Sequence, residues 1–174
     1  AHHATARGWR RAWRATRERR VAYLTAVPDA SAQIDGLIAP VPPDGWAALD
    51  HREAAYERLH AAHQVSHQAD ASDIAIYAIA EGRHFAPTED HPVLLSYVDV
   101  VLQGYLAEYG RAGADRFLAT TSGWAEAPIL DDRAAPVYPR AQRLSDAERA
   151  YVDEALNPLC SHRIPAGAGR LENG

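Results

Sequence analysis

GWRRAWRATRERRVAYLTAV, residues 8 to 27, is the stretch on which the fold turns. Its first half, GWRRAWRA, alternates roughly, which sets Trp9, Arg11 and Trp13 on one face of a strand. Its second half holds VAYLTAV, rich in residues that favour strands. The polar TRERR between them reads as a turn, so the stretch predicts a β-hairpin. Pro28 and Asp29 then predict a loop. IDGLIAPV, residues 34 to 41, predicts a third strand, and Gly36 inside it suggests a bulge or a close backbone approach.

Working outward, PPDGW predicts a helix over 44–57 with Asp44 as its N-cap. Residues 58–68 and 73–80 predict two more strands. The longest helix is predicted over about 91–109, where Leu94, Val98, Val101, Leu102, Tyr105 and Tyr109 keep helical spacing and Gly110 ends it. GADRFLATT predicts a second, short helix directly after. Residues 123–143 contain Pro128, Pro136 and Pro139 and read as irregular. LSDAERAYVDEAL carries a capping box, Ser145 with Glu148, and Pro158 stops that helix. The final IPAGAGRLENG is expected to be a mobile tail. No internal repeat or long linker divides the chain, which predicts one domain over 1–160 and a tail over 161–174. Short strands first and helices later predict an α+β fold, a small, mostly antiparallel sheet or β-barrel with helices packed around it.

The chain has 174 residues, 47% hydrophobic and 24% charged, enough for a sizeable core and too apolar for a disordered segment. A net charge of −5 argues against a dedicated nucleic-acid binder. No apolar run approaches the ~20 residues a membrane span needs, and no signal peptide opens the chain. Cys160 is the only cysteine, so an internal disulfide is impossible and a cytoplasmic location is the simple expectation. All 18 basic residues are arginine, a coding bias that lowers the weight of any single Arg. There is no methionine and the chain starts at Ala1, so a native N-terminal piece is expected to precede it.

LDHREAAY, residues 49 to 56, raises a question of chemistry. At about 100° per residue, Trp46, Leu49, Glu53 and Tyr56 fall on one side of a helix, with Glu53 inside the apolar stripe. A carboxylate removed from water resists ionising, which suits a general acid and base near pH 7. The same placement also suits a Glu that snorkels to the stripe's edge or pairs with an Arg. HAAHQVSH, residues 60 to 67, gathers three histidines, but no cysteine or nearby carboxylate completes a metal set, and a solvated strand explains them better. Arg7 to Arg20 interleaves seven arginines with two tryptophans, a pattern that can bind single-stranded nucleic acid, although a solvated hairpin face fits the overall charge better. Dinucleotide, P-loop, nucleophile-elbow and CxxC patterns are all absent. Ser122 has no base nearby in sequence, and Cys160 has no implied partner.

GWRRAW, then VAYLTAV, then IDGLIAPV, then LDHREAAY, in that order, resembles γ-glutamylcyclotransferase-like proteins. Members typically show a strand ending in Gly, a helix carrying LDxRE or a variant, and a Tyr soon after. HPVLLSYVDVVLQGY looks like their later helix, and the resemblance covers roughly residues 6–157. It implies a small β-barrel with surrounding helices, with Glu53 as the catalytic residue. Tyr56 and Tyr97 match family tyrosines near the substrate, and Gly36 matches the strand glycine placed with them. One departure is plain. The family opens with a strand and a YGSL-like loop that holds the γ-glutamyl group, and this chain has no such motif, so the motif is expected upstream of Ala1.

The resemblance implies a reaction in which the α-amine of a γ-glutamyl compound attacks its own γ-carbonyl, closing 5-oxoproline and releasing an amine. Glu53 would take the proton from the α-ammonium and return it to the leaving amine. Such an intramolecular attack gains roughly 7–11 kcal/mol from orientation alone. The expected partner is a small γ-glutamyl substrate, with no cofactor, metal, nucleic acid or membrane. A non-catalytic, metabolite-binding member of the same fold is the alternative.

Overall fold

The computed structural model describes residues 1–160 and 162–165. It is α+β and divides into two compact units. The first comprises residues 1–12 and 24–84, the second residues 13–23 and from 85 onward. One long hairpin supplies strands to both. β1 (His2–Thr16) and β2 (Arg19–Ile38) meet at the turn Arg17–Glu18. The hairpin predicted from residues 8 to 27 is therefore present and much longer than its sequence signal.

In the first unit β1 also pairs antiparallel with β4 (Val65–His67), Thr5 opposite Ser66. The expected loop at Pro28–Asp29 and the separate third strand are both corrected, because β2 runs through them. Pro28 is exposed. Asp29 is satisfied locally and across the hairpin. It accepts the Ser31 hydroxyl at 2.7 Å, the Arg10 Nε at 2.6 Å and the Ser31 N–H at 2.9 Å. These donors hold its carboxyl down at about 2. A second, two-stranded sheet pairs β3 (Glu57–His60) with β5 (Ala75–Ala78), antiparallel. Its period of two sorts the side chains. Leu59, Ile76 and Ala78 join Trp9, Ala26, Ala6 and Ile34 in this unit's core, while Arg58 and Tyr77, direct register partners, face the other way.

Between the hairpin and β3 lies α1 (Trp46–Arg52). The helix expected over 44–57 is only seven residues long. Gly45, not Asp44, occupies the N-cap, without a side-chain cap.

The second unit is built on three very short strands that follow the hairpin's turn end. β6 (Val93–Leu94) lies parallel to β2 at Ala22, β7 (Ile129–Leu130) parallel to β6, and β8 (Arg163–Ile164) parallel to β7. This sheet is mixed rather than mostly antiparallel. Val93, Leu94, Ile129 and Leu130 are all buried, as strands covered on both faces must be. β8 also corrects the expectation that the chain beyond 160 is only tail. Ser161 and residues 166–174 of that tail lie outside the described residues.

α2 (Leu95–Thr120) contains both helices predicted around Gly110, whose φ of 64° and ψ of −174° interrupt it. That conformation is essentially restricted to glycine, and it separates the two helices. α3 (Asp146–Leu156) starts on the expected capping box. The Ser145 hydroxyl accepts the Glu148 N–H, and the Glu148 carboxylate accepts the Ser145 N–H at 2.7 Å. The Ser145 N–H, with the Ser145 hydroxyl, lowers the Glu148 pKa. Ser145→Ala is expected to cost about 1 kcal/mol, read as a lower denaturation midpoint at unchanged slope.

Candidate functional site

Glu53 is the residue the sequence singles out, and its surroundings differ from the buried stripe expected for it. α1 ends at Arg52, so Glu53 is the C-cap, with φ −94° and ψ 28°. Its N–H still bonds the Leu49 carbonyl at 2.9 Å, and its own carbonyl accepts the Tyr56 N–H at 2.7 Å. Tyr56 therefore lies past the helix, in the turn leading to β3. The stripe Trp46–Leu49–Glu53–Tyr56 does not exist as one helical face, because the helix stops before its last two members. No residue of α1 is fully buried. The Glu53 side chain keeps 28% of its surface and pairs with the Nε of Arg52 at 2.9 Å, Arg52 itself being 58% exposed. An exposed pair of this kind contributes only about 0–1 kcal/mol and is readily exchanged.

One turn before Glu53 the same helix is gripped from the two-stranded sheet. Tyr77, on β5, donates its hydroxyl to Asp50 Oδ1 at 2.5 Å. Arg58, opposite it on β3, reaches the same oxygen at 3.3 Å and lays its guanidinium over the Trp46 ring at 4.6 Å. Burial and the Asp50 carboxylate raise the Tyr77 phenol to about 12, with the Glu53 charge adding in the same direction. Tyr77 is thus a neutral donor throughout the physiological range. Asp50 and Glu53 stand at i and i+3, neighbours along a helix surface. The sequence reading missed Asp50, Arg58 and Tyr77. The i, i+3 carboxylates were a visible signal, but the pairing of Arg58 with Tyr77 depends on strand register.

Tyr56 donates its hydroxyl to the Leu24 carbonyl at 2.9 Å, tying the turn after Glu53 to β2. Gly36 lies in β2 without a positive φ, and a Cβ there would meet no atom within 4 Å. Neither a left-handed turn nor a close backbone approach accounts for this glycine. Glu53, Tyr56 and Gly36 all belong to the first unit, and Tyr97 to the second. Tyr97 stands in the first turn of α2, its ring 5.6 Å from Trp13 edge-on and 4.8 Å from Tyr138.

The other sequence candidates resolve into structure. Trp9 and Trp13 are core residues, 6% and 0% exposed, so neither offers a stacking surface for bases. His60 pairs with Asp73, and its ring lies 6.2 Å from that of His63. Among the described residues no three His, Cys, Asp or Glu side chains gather as metal ligands do. No described helix is long and apolar enough to cross a membrane. Burial raises the Cys160 thiol to about 11, which leaves it unreactive. The chain matches no protein-family model, no curated protein and no solved structure.

Proposed function

We propose that the chain is the body of a γ-glutamyl cyclotransferase-type enzyme in which Glu53 is the general base and acid. The observation that carries this is the state of Glu53. Its carboxylate is partly sheltered at the end of a helix held by Tyr77 and Arg58, and the partner it would have to release is the exposed Arg52. The ordered likeness of residues 6–157 to that family supplies the reaction class.

In the reaction, Glu53 accepts a proton from the substrate's α-ammonium. The freed amine attacks the γ-carbonyl carbon, the attacking nitrogen gives up a second proton as the amide C–N bond breaks, and both protons pass to the leaving nitrogen, which departs as an ammonium. Atoms and charges balance without a redox partner. The substrate is a small γ-glutamyl compound. Tyr56 and Gly36 take their places beside it on the resemblance, as do closure of the sheet into a barrel and a cytoplasmic setting. Backbone N–H groups would stabilise the oxyanion, worth about 2.7–4 kcal/mol for one donor in other enzymes.

The Arg52–Glu53 ion pair also favours a second reading, a non-catalytic member of the fold that binds a metabolite. One experiment separates them: release of 5-oxoproline by the protein from a panel of γ-glutamyl compounds. Glu53→Gln keeps size and hydrogen bonding but removes the base. It is expected to lower turnover by roughly 10²–10⁴-fold, with the far-ultraviolet circular dichroism and melting temperature little changed. Full activity in the variant would remove Glu53 from the chemistry, and a folded wild type that cyclises none of the panel would leave the binding reading.

A further inference from the structure

The grip on α1 has a role to fill if Glu53 is the base. We propose that Tyr77 and Arg58 are positioning residues for Glu53, acting through Asp50 and Trp46. This inference rests on the cyclotransferase reading and goes beyond it, because it assigns a task to side chains for which the family likeness names none.

A helix of seven residues with no fully buried side chain and no side-chain N-cap has little of its own to fix its direction. Its end would swing, and Glu53 with it. Two contacts prevent that, and both come from one pair of facing residues. Arg58 and Tyr77 are register partners in an antiparallel ladder, so their side chains emerge from the same face. The opposite face of that ladder, Leu59, Ile76 and Ala78, is set into the first unit's core. The two long side chains therefore stand on a rigid base.

From it they take the helix at two points four residues apart. Arg58 covers Trp46 in the first turn, and Tyr77 and Arg58 together hold one oxygen of Asp50 in the last. Positions four apart lie on one helical face, so the grip fixes both axial position and rotation. Asp50 is three residues before Glu53, and fixing it fixes the turn from which the Glu53 carboxylate projects. Arg52 pairs with that carboxylate, and the Glu53 charge is also felt by Tyr77 on β5. The neutral Tyr77 donor neutralises nothing, so the Asp50 anion and the Arg58 cation remain balanced. The arrangement holds Glu53 in place without bringing a new cation to bind it.

A general base displaced from its proton by an ångström costs up to about 10²-fold in rate. Removing the Tyr77 hydroxyl frees one of the two holds. With 5-oxoproline release as the readout, Tyr77→Phe is expected to lower kcat by on the order of tenfold, with KM within about twofold of wild type, since no substrate contact is lost. Asp50 offers a rescue series. Asp50→Asn retains an oxygen that can accept from Tyr77 and should keep more of kcat than Asp50→Ala, which retains none. A part played only in folding would lower the melting temperature in the order of these losses and leave kcat per folded molecule unchanged. That result in Tyr77→Phe, or equal kcat in Asp50→Asn and Asp50→Ala, overturns the positioning role. If the folded wild type cyclises no γ-glutamyl compound, the cyclotransferase reading itself falls and takes this role with it. An active wild type with an unimpaired Tyr77→Phe removes the positioning role alone.

Discussion

Arg133→Met is expected to destabilise the protein by about 3–5 kcal/mol, because it strands a buried anion. Asp99, on α2, is only 5% exposed. Both of its carboxylate oxygens are taken by Arg133, Nε to Oδ2 and Nη2 to Oδ1, each at 2.7 Å. This bidentate fork is the strongest geometry a guanidinium offers a carboxylate. The remaining nitrogen, Nη1, reaches Asp153 on α3 at 2.7 Å, so one side chain links the two helices. Asp99, and to a lesser degree Asp153, holds the Arg133 charge well above its ordinary pKa against the opposing effect of burial. Methionine fills similar volume but leaves Asp99 without its counter-charge. The double replacement Asp99→Leu with Arg133→Met removes the stranded charge and is expected to recover most of the loss, as buried pairs replaced whole are often near neutral. Urea denaturation of the four proteins of this cycle gives the coupling directly. Equal losses in the single and the double variant would show that the cost is packing rather than charge.

The segment that holds Arg133 was the least legible in the sequence. Residues 123–143 read only as irregular and proline-rich, and they are indeed mostly without regular structure. Their order comes from charges whose partners are distant along the chain. Asp132, buried, accepts the Ser96 N–H at 2.8 Å, the Ser96 hydroxyl at 2.5 Å and the Val137 N–H at 2.8 Å, pinning the loop to the start of α2. No local pattern announces a contact between positions 96 and 132. Features whose partners are near in sequence were readable: the capping box at Ser145 and Glu148, the break at Gly110, the hairpin centred on residues 17 and 18. β6, β7 and β8 were not, since two-residue parallel strands have no periodicity to detect and exist only through their neighbours. Pro28 and Asp29 misled for a related reason. They are strand breakers in general, but the Arg10 donor across the hairpin satisfies Asp29 within the strand here. For the candidate site, the motif LDHREAAY pointed to Glu53, and helical periodicity then placed it wrongly. The stripe assumed a helix through Tyr56, whereas the helix ends at Arg52. The side chains that hold α1, Arg58 and Tyr77, required strand register, which a single sequence does not state.

Trp13→Ala is expected to cost about 3–5 kcal/mol, the range for deleting a large buried aromatic side chain. Trp13 is 0% exposed and stands where the hairpin enters the second unit. Its ring packs edge-on against Trp124 at 5.2 Å and Tyr97 at 5.6 Å, and Trp124 in turn faces Phe117 at 6.3 Å. Its backbone N–H donates to the Ser122 carbonyl at 3.0 Å. Gly123, at φ +94°, brings its backbone so close that a Cβ would sit 3.1 Å from the Trp13 carbonyl oxygen. The cavity left by alanine would therefore be walled by a backbone already locked by a hydrogen bond and a left-handed glycine, and it cannot collapse. Trp13→Phe should cost much less, for a reason beyond its larger volume. The Trp13 indole N–H is buried and has no hydrogen-bond acceptor among the described residues. Phenylalanine removes that unsatisfied donor, which offsets part of the lost packing, since a buried donor without a partner costs about 1–3 kcal/mol. Midpoints of chemical denaturation for the two variants test both halves of this expectation. A Trp13→Phe loss equal to that of Trp13→Ala would mean that the indole donor has a partner and that its removal is itself destabilising.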